Sequence, residues 1–213
     1  MSEKLVETIP VGTLGIIALE SSRALGNKVN DYIVKWRREK ESEHKSTIAF
    51  TGYQRDSYLV DASCPRFGSG EAKGHIRESV RGSDLYILLD VCNYNLTYNL
   101  FGQTNHMSPD DHYQDLKRVI AAVGGKARRI TVIMPFLYES RQHKRSSRES
   151  LDCALALQEL VNMGVESIIT FDAHDPRVQN AIPLKSFETV QPTYQFIKYL
   201  LKNKIIELLL FCI

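Results

Sequence analysis

Residues 85–91, Leu85-Tyr86-Ile87-Leu88-Leu89-Asp90-Val91, form a nearly unbroken apolar run. A run of this kind suits a central strand covered on both faces. Two more follow at Arg129 to Pro135 (RITVIMP) and Val165 to Asp172 (VESIITFD). Between the first two, Ser108-Pro109-Asp110-Asp111 opens a helix: Ser is a good N-cap, Pro suits the first helical position, and acids suit the N-terminal dipole. Leu116, Val119, Ile120 and Val123 mark its buried face, and Gly124-Gly125 stops it. Between the second and third runs, Ser146-x-x-Glu149 is a capping-box pattern that predicts a helix facing inward through Leu151, Ala154, Leu157 and Val161. Strand, helix, strand, helix, strand predicts an α/β fold: a parallel sheet flanked by helices, with right-handed crossovers. Ligands of such sheets bind beyond the C-terminal ends of the strands. Here those ends carry Asp90 to Cys92, Pro135 to His143, and Asp172 to Asp175.

The pattern extends outward from this core. Leu14 to Leu19 is a short apolar run, and a helix is predicted from Arg23 to about Lys40. Leu25, Val29, Tyr32, Ile33 and Trp36 recur at helical spacing and are predicted to share its buried face. The mixed charges from Arg37 to Lys45 read as a solvated helix end. Residues 1–13 read as a loose leader, and 46–67 as β structure with turns. Residues 68–74 hold three of the twelve glycines, which suits either a turn or a phosphate-contacting loop. Residues 92–107 read as a long polar loop. One more helix is expected from Gln191 to Asn203, and eight of the last nine residues, Ile205 to Ile213, are apolar. Such a segment must pack somewhere or it invites association.

Composition bounds the classes of function. The 213 residues allow one full α/β domain and a short extra piece, or two small domains. With 43% hydrophobic and 24% charged residues the chain is not disordered. A net charge of +2 gives no general case for nucleic acid, so none is expected as a partner. Four cysteines without zinc-finger or CxxC spacing, and no secretory signal, point to free thiols in a reducing cytoplasm. No apolar run approaches the ~20 residues of a membrane helix, so no membrane is expected as a partner.

Three segments could carry chemistry. In Asp172-Ala173-His174-Asp175, residues i and i+2 of an extended chain project to one side, so Asp172 and His174 are expected to face one ligand together. A carboxylate beside an imidazole holds a divalent metal or steers a proton; the plainer reading is a capped strand end. Arg141, His143, Lys144, Arg145 and Arg148 lie just before the expected helix start, which suits phosphate; the plainer reading is a solvated basic loop. In Arg66-Phe67-Gly68-Ser69-Gly70-Glu71, Phe67 can stack on a base and Glu71 can accept from a hydroxyl or amine. Asp110, Asp111 and Asp115 read as helix N-terminal charges.

Taken together, the chain from about Leu14 to Asn203 resembles the ribose-phosphate diphosphokinases, also called phosphoribosyl pyrophosphate synthetases. The resemblance rests on Arg66-Phe67-x-x-Gly70-Glu71, Glu78-Ser79-Val80-Arg81-Gly82-x-Asp84-x-Tyr86-Ile87, Ala127-Arg128-Arg129-Ile130 through Pro135, Tyr138-x-x-Arg141-Gln142, and Asp172-Ala173-His174-x-x-x-Val178-Gln179. It implies a phosphoribosyltransferase-like N-terminal domain of an enzyme that transfers pyrophosphate from MgATP to ribose 5-phosphate, giving phosphoribosyl pyrophosphate and AMP. It further implies that Phe67 and Glu71 meet the adenine of ATP bound to a neighbouring subunit. Arg141, Gln142 and His174 would contact ATP, and Asp172 and His174 would lie at its Mg²⁺. ATP, ADP and ribose 5-phosphate are the implied ligands, and association with copies of itself or with a homologue is the implied assembly.

The departures shape the expectation. His143 stands where an acid usually follows Arg-Gln, and the middle acid of the Phe67–Glu71 loop is missing. The family's second domain carries an acidic, small-residue loop for ribose 5-phosphate, and nothing in this sequence matches it. The expectation is therefore an ATP-side domain at 14–203, a tail at 204–213 unlike the family, no ribose-phosphate domain, and a chain incomplete for catalysis. The alternative is a non-catalytic nucleotide-binding or regulatory subunit that associates with a full-length homologue.

Overall fold

The computed structural model describes residues 10–42 and 55–203. In chain order the elements are β1 (Thr13–Ala18), α1 (Arg23–Ser42), β2 (Ala62–Ser63), β3 (His75–Ile76), β4 (Ser83–Leu88), β5 (Thr97–Leu100), β6 (Gln103–His106), α2 (Pro109–Val123), β7 (Arg129–Met134), α3 (Asp152–Asn162), β8 (Ser167–Phe171), β9 (Ser186–Val190) and α4 (Thr193–Lys202). Five strands form one parallel sheet in the order β1-β4-β7-β8-β9. The three apolar runs are its interior strands. β9 was not expected, because an edge strand with alternating exposure has no apolar run to announce it. The readings of 1–9, 43–54 and 204–213 lie outside the described residues.

The side-chain alternation of β4 sorts the sheet into two faces. Leu85 and Ile87 pack with Leu116, Val119, Ile120 and Val123 of α2 and with Leu157 and Leu160 of α3, all at most 3% exposed. Leu88 and the partly buried Tyr86 turn the other way, toward Val34 of α1 and Tyr58. Beyond β1 the chain adds a short parallel contact: Ile16 N–H donates to Tyr58 C=O at 2.8 Å and Val60 N–H to Ile16 C=O at 2.8 Å. The chain thus runs outward from β1 to residues 58–60 and returns past β1 to β4. This reversal puts a topological switch point at the C-terminal ends of β1 and β4.

α2 follows its sequence signals. Ser108 Oγ accepts from Asp111 N–H while the Asp111 carboxylate accepts from Ser108 N–H, a closed capping box, and Gly124 ends the helix in the left-handed conformation at φ 58°.

The buried face of α1 is rotated from the expected one, of which Val29 and Ile33 do pack against the Val34–Tyr58 cluster. Tyr32 and Trp36 are 70% and 46% exposed and Leu25 is exposed, whereas Gly26 and Asn30 are buried. A Cβ on Gly26 would sit 2.2 Å from that of Ala18, so only glycine lets the helix approach β1 this closely. Asn30 Oδ1 accepts from Tyr58 N–H at 2.8 Å, fixing the outer segment to the helix.

The loop at 92–107 contains the β5–β6 hairpin, turned at Phe101 and Gly102 with φ of 48° and 82°. Two successive positive φ values are what a two-residue hairpin turn requires. Among the described residues no helix is long and apolar enough to cross a membrane.

Candidate nucleotide site at the ends of β7 and β8

β7 and β8 stay tied past their last paired residues. Phe171 N–H donates to Pro135 C=O at 3.3 Å, and Asp172 N–H donates to Val190 C=O of β9 at 3.0 Å, which ties β8 to its other neighbour as well. A cavity of about 480 Å³ opens there, lined by Phe136, Leu137, Arg141, Phe171, Asp172 and His174 among others. Asp172 has φ of 46°, so the chain leaves the extended conformation at that residue. The expected alternation that would aim Asp172 and His174 to one side therefore does not hold. They share the cavity because the chain turns left-handed, a conformation Asp adopts more readily than most residues. Ala173 N–H donates to Thr189 Oγ1 at 2.9 Å and fixes the turn against β9.

The β7 loop is anchored at several points. Leu137 and Ser140 are buried, and Gln142 N–H closes a tight turn onto Glu139 C=O at 2.9 Å. The Tyr138 ring stacks on Tyr113 of α2 at 4.2 Å, and its hydroxyl donates to Asp110 at 2.7 Å. Burial and the neighbouring Asp110 push that hydroxyl's pKa up, so it remains a donor at neutral pH. Arg141 is exposed, and among the described residues its guanidinium makes no hydrogen bond or ion pair. The Gln142 amide donates inward, to Ser150 C=O at 2.8 Å and Lys144 C=O at 3.4 Å.

Sequence reasoning missed the contact that joins the two loops. His143 Nε2 lies 3.4 Å from Asp175 Oδ2, and both side chains are largely buried. The His143 and His174 rings are 5.2 Å apart. Asp175 also accepts from the Arg177 guanidinium at 2.6 Å and from Arg177 N–H at 2.9 Å. These bonds hold its carboxyl well below the usual carboxylate range. No pattern within either segment signals the contact; only the shared position at neighbouring strand ends does.

The basic segment lies further from the start of α3 than its capping pattern predicts. Ser146 N–H does donate to Glu149, but α3 begins at Asp152 with Leu151 as N-cap. Gln142 C=O accepts from Cys153 N–H at 3.3 Å, so the β7 loop supplies a partner for the first turn. Lys144, Arg145 and Arg148 are therefore exposed on a loop and not at a helix start.

Phe67 and Glu71 lie on a separate turn, closed by Phe67 N–H to Glu71 C=O at 2.7 Å and Gly70 N–H to Phe67 C=O at 2.9 Å. Phe67 is 52% exposed. No described hydrogen bond or ion pair joins this turn to Arg141, Asp172 or His174. Arg66 anchors the turn instead, 3.0 Å from Asp115, which also pairs with Arg118 at 2.7 Å. Asp115 is thus a buried link between α2 and the turn, not a helix-end charge. Burial lifts its carboxyl above the ordinary value, with the two arginines pulling the other way. Among the described residues no cluster of three His, Cys, Asp or Glu could hold a metal. Asp172 and His174 are a pair, not a cage.

A family model described as the N-terminal domain of ribose phosphate pyrophosphokinase matches residues 14–164. The ribose-phosphate pyrophosphokinase 1 of Schizosaccharomyces pombe is 35% identical over 121 residues, 56% of this chain and 26% of its own length. The ribose-phosphate pyrophosphokinase B of Dictyostelium discoideum is 30% identical over 151 residues, 70% of this chain and 42% of its own. Among solved structures, the phosphoribosylpyrophosphate synthetase of Mycobacterium smegmatis shares the fold with a TM-score of 0.65 at 21% identity, over 88% of this chain and 51% of that one. The chain thus matches between about a quarter and two fifths of the length of these curated relatives. Phe67, Glu71, Arg141 and Gln142 fall inside the family match, and Asp172 and His174 lie beyond it.

Proposed function

Because the chain belongs to the family of the N-terminal domain of ribose phosphate pyrophosphokinase, we propose that it forms the ATP side of a pyrophosphoryl-transfer site. The reaction of the full-length family would move the terminal pyrophosphoryl group of MgATP onto ribose 5-phosphate, giving phosphoribosyl pyrophosphate and AMP. The observation that carries the reading is the cavity at the ends of β7 and β8, where Arg141, Asp172 and His174 come together. Arg141 is an unpaired fork of donors, the geometry that matches phosphate oxygens. His174 supplies a second donor beside the phosphates. Gln142, its amide turned inward, acts on ATP by shaping the loop that carries Arg141.

The residues fit Mg²⁺ in one way only. Mg²⁺ prefers carboxylate, phosphate and water oxygens and keeps several waters, so it is held by one or two carboxylates together with substrate phosphates. Asp172 supplies such a carboxylate, and His174 would meet a metal-bound water or the nucleotide. When bound, the metal would neutralise charge on the phosphoryl oxygens. Phe67 and Glu71, remote in contacts from Arg141 within one chain, would serve a nucleotide held by a neighbouring subunit. Turnover needs ribose 5-phosphate in line with ATP, which this reading assigns to a second domain. The same reading places the protein in the cytoplasm as a homo-oligomer or a partner of a homologue.

The test is calorimetric titration of the 213-residue chain with MgATP, with Mg²⁺ alone as control. Saturable heat with MgATP is expected, and its absence at millimolar nucleotide would refute the reading. A second reading, a non-catalytic subunit, is favoured by one observation. His143 stands where the resemblance expects an acid, and its ring is tied to Asp175. It predicts co-elution with a full-length homologue at micromolar concentration, and separate elution would count against it.

A further inference from the structure

The switch point between β1 and β4 is a different strand pair from the one that carries Arg141 and His174, and it holds a cavity of about 350 Å³. In doubly wound sheets this crevice is the general ligand position. Leu19 and Leu89, 5% and 0% exposed, lie at the strand ends beneath it. Met107 and His112 come from the start of α2, and Leu96 and Tyr98 from the β5–β6 hairpin. The hairpin wall is fixed: Phe101 N–H donates to Gly68 C=O at 2.9 Å, and Arg66 lies 4.7 Å over the Tyr98 ring.

The polar groups decide what could enter. Every guanidinium that reaches the cavity already faces a carboxylate: Arg23 with Glu20 at 2.6 Å, Arg66 with Asp115 at 3.0 Å, and Arg77 with Asp61 at 2.7 Å. Among the described lining residues no unpaired guanidinium is left for a phosphate. What remains among the described lining residues is Ser21, His112 and Tyr98. Ser21 Oγ accepts from Asp90 N–H at 3.2 Å, which leaves its O–H as a donor. His112 is 2% exposed, and its Nε2, 2.8 Å from Asn93 C=O, must carry the proton. Nδ1 has no hydrogen-bond partner among the described residues, and an imidazole with its proton on Nε2 accepts there. Tyr98, backed by Arg66, offers an aromatic surface.

We infer that the switch-point cavity binds a neutral, flat heteroaromatic molecule of nucleobase or nucleoside size. Its volume is near the low end of the roughly 300–1,000 Å³ seen for ligand pockets, with room for a base and its sugar but not for a triphosphate chain. Apolar walls, a stacking surface and one donor with one acceptor suit such a ring. Paired arginines do not suit an anion.

The test is saturation-transfer NMR with adenosine as probe, on the full chain carrying Phe67→Ala and Arg141→Ala. Those changes remove the contacts proposed for ATP and leave the cavity untouched. Saturation of the adenosine ring protons is expected, undiminished by excess inorganic phosphate. Thr97→Trp, at an exposed strand position that tolerates an aromatic, fills the cavity mouth and should abolish the signal. Tyr98→Ala should weaken binding at least about fivefold, the low end for a lost stacking surface. Circular dichroism confirms the fold of each variant. No signal, displacement by phosphate, or a signal unchanged in folded Thr97→Trp or folded Tyr98→Ala would overturn the inference.

Discussion

Replacing Arg141 and its neighbour Gln142 by alanine should have opposite signatures. The Arg141 side chain is exposed and makes no described hydrogen bond or ion pair, so its loss should move stability by no more than about 0.5 kcal/mol. Its proposed bond to phosphate is charge-assisted, a class worth about 1.5–3 kcal/mol. At 1.4 kcal/mol per tenfold, Arg141→Ala should weaken MgATP binding by roughly 10- to 150-fold. Arg141→Lys should fall between, because an ammonium keeps the charge and loses the fork. The Gln142 amide bonds Ser150 C=O at 2.8 Å and holds the loop to the start of α3. Its removal should cost about 0.5–1.5 kcal/mol of stability, a fall in Tm of roughly 1–6 °C for a chain of this size. The assay pairs calorimetric titration of MgATP with thermal melts of each variant. Arg141→Ala lowering Tm as much as Gln142→Ala while leaving MgATP affinity within about twofold, well short of the tenfold that 1.4 kcal/mol represents, would refute the assignment.

Gly70 has φ of 86°, and a Cβ there would lie 2.8 Å from Leu100 Cδ1. Gly70→Ala should therefore destabilise by about 1–3 kcal/mol, read as a fall in denaturation midpoint. Leu157, 1% exposed between α3 and the sheet, should cost about 2–5 kcal/mol on change to alanine, and a change under 1 kcal/mol would mean that α3 does not pack there. Burial pushes the Cys64 thiol up to about 12 and the Cys153 thiol up to about 11. Raised thiol pKa values disfavour thiolate in the native state, so at pH 8 Cys153 should be only about 0.1% ionised and Cys64 less. Peptide mapping after iodoacetamide treatment should show Cys92, which is exposed, alkylated well before both, and all three at similar rates once the chain is unfolded.

The sheet was legible because its three central strands are buried on both faces and leave apolar runs. α2 was legible because both of its ends are marked by residues with a specific backbone role. The β5–β6 hairpin was hidden by its composition. Thr97-Tyr98-Asn99-Leu100 alternates at period two, but Asn and Thr dilute the signal, and the cue is the Phe101-Gly102 turn. The α1 face was legible only at Val29 and Ile33, because Gly26 and Asn30, which make the close contacts, carry no apolar signal. At the site, spacing brought Asp172 and His174 to one cavity for the wrong local reason, since Asp172 is left-handed. The His143–Asp175 contact crosses two loops 32 residues apart, and pairing between loops is set by strand order, which a sequence does not print.

Hydrogen–deuterium exchange of the full chain with and without MgATP tests the central claim most directly. The account predicts that protection appears at residues 136–143 and 171–175, the two loops that line the β7–β8 cavity, and is lost in Arg141→Ala. Protection confined to other segments, or none at saturating MgATP, would contradict it.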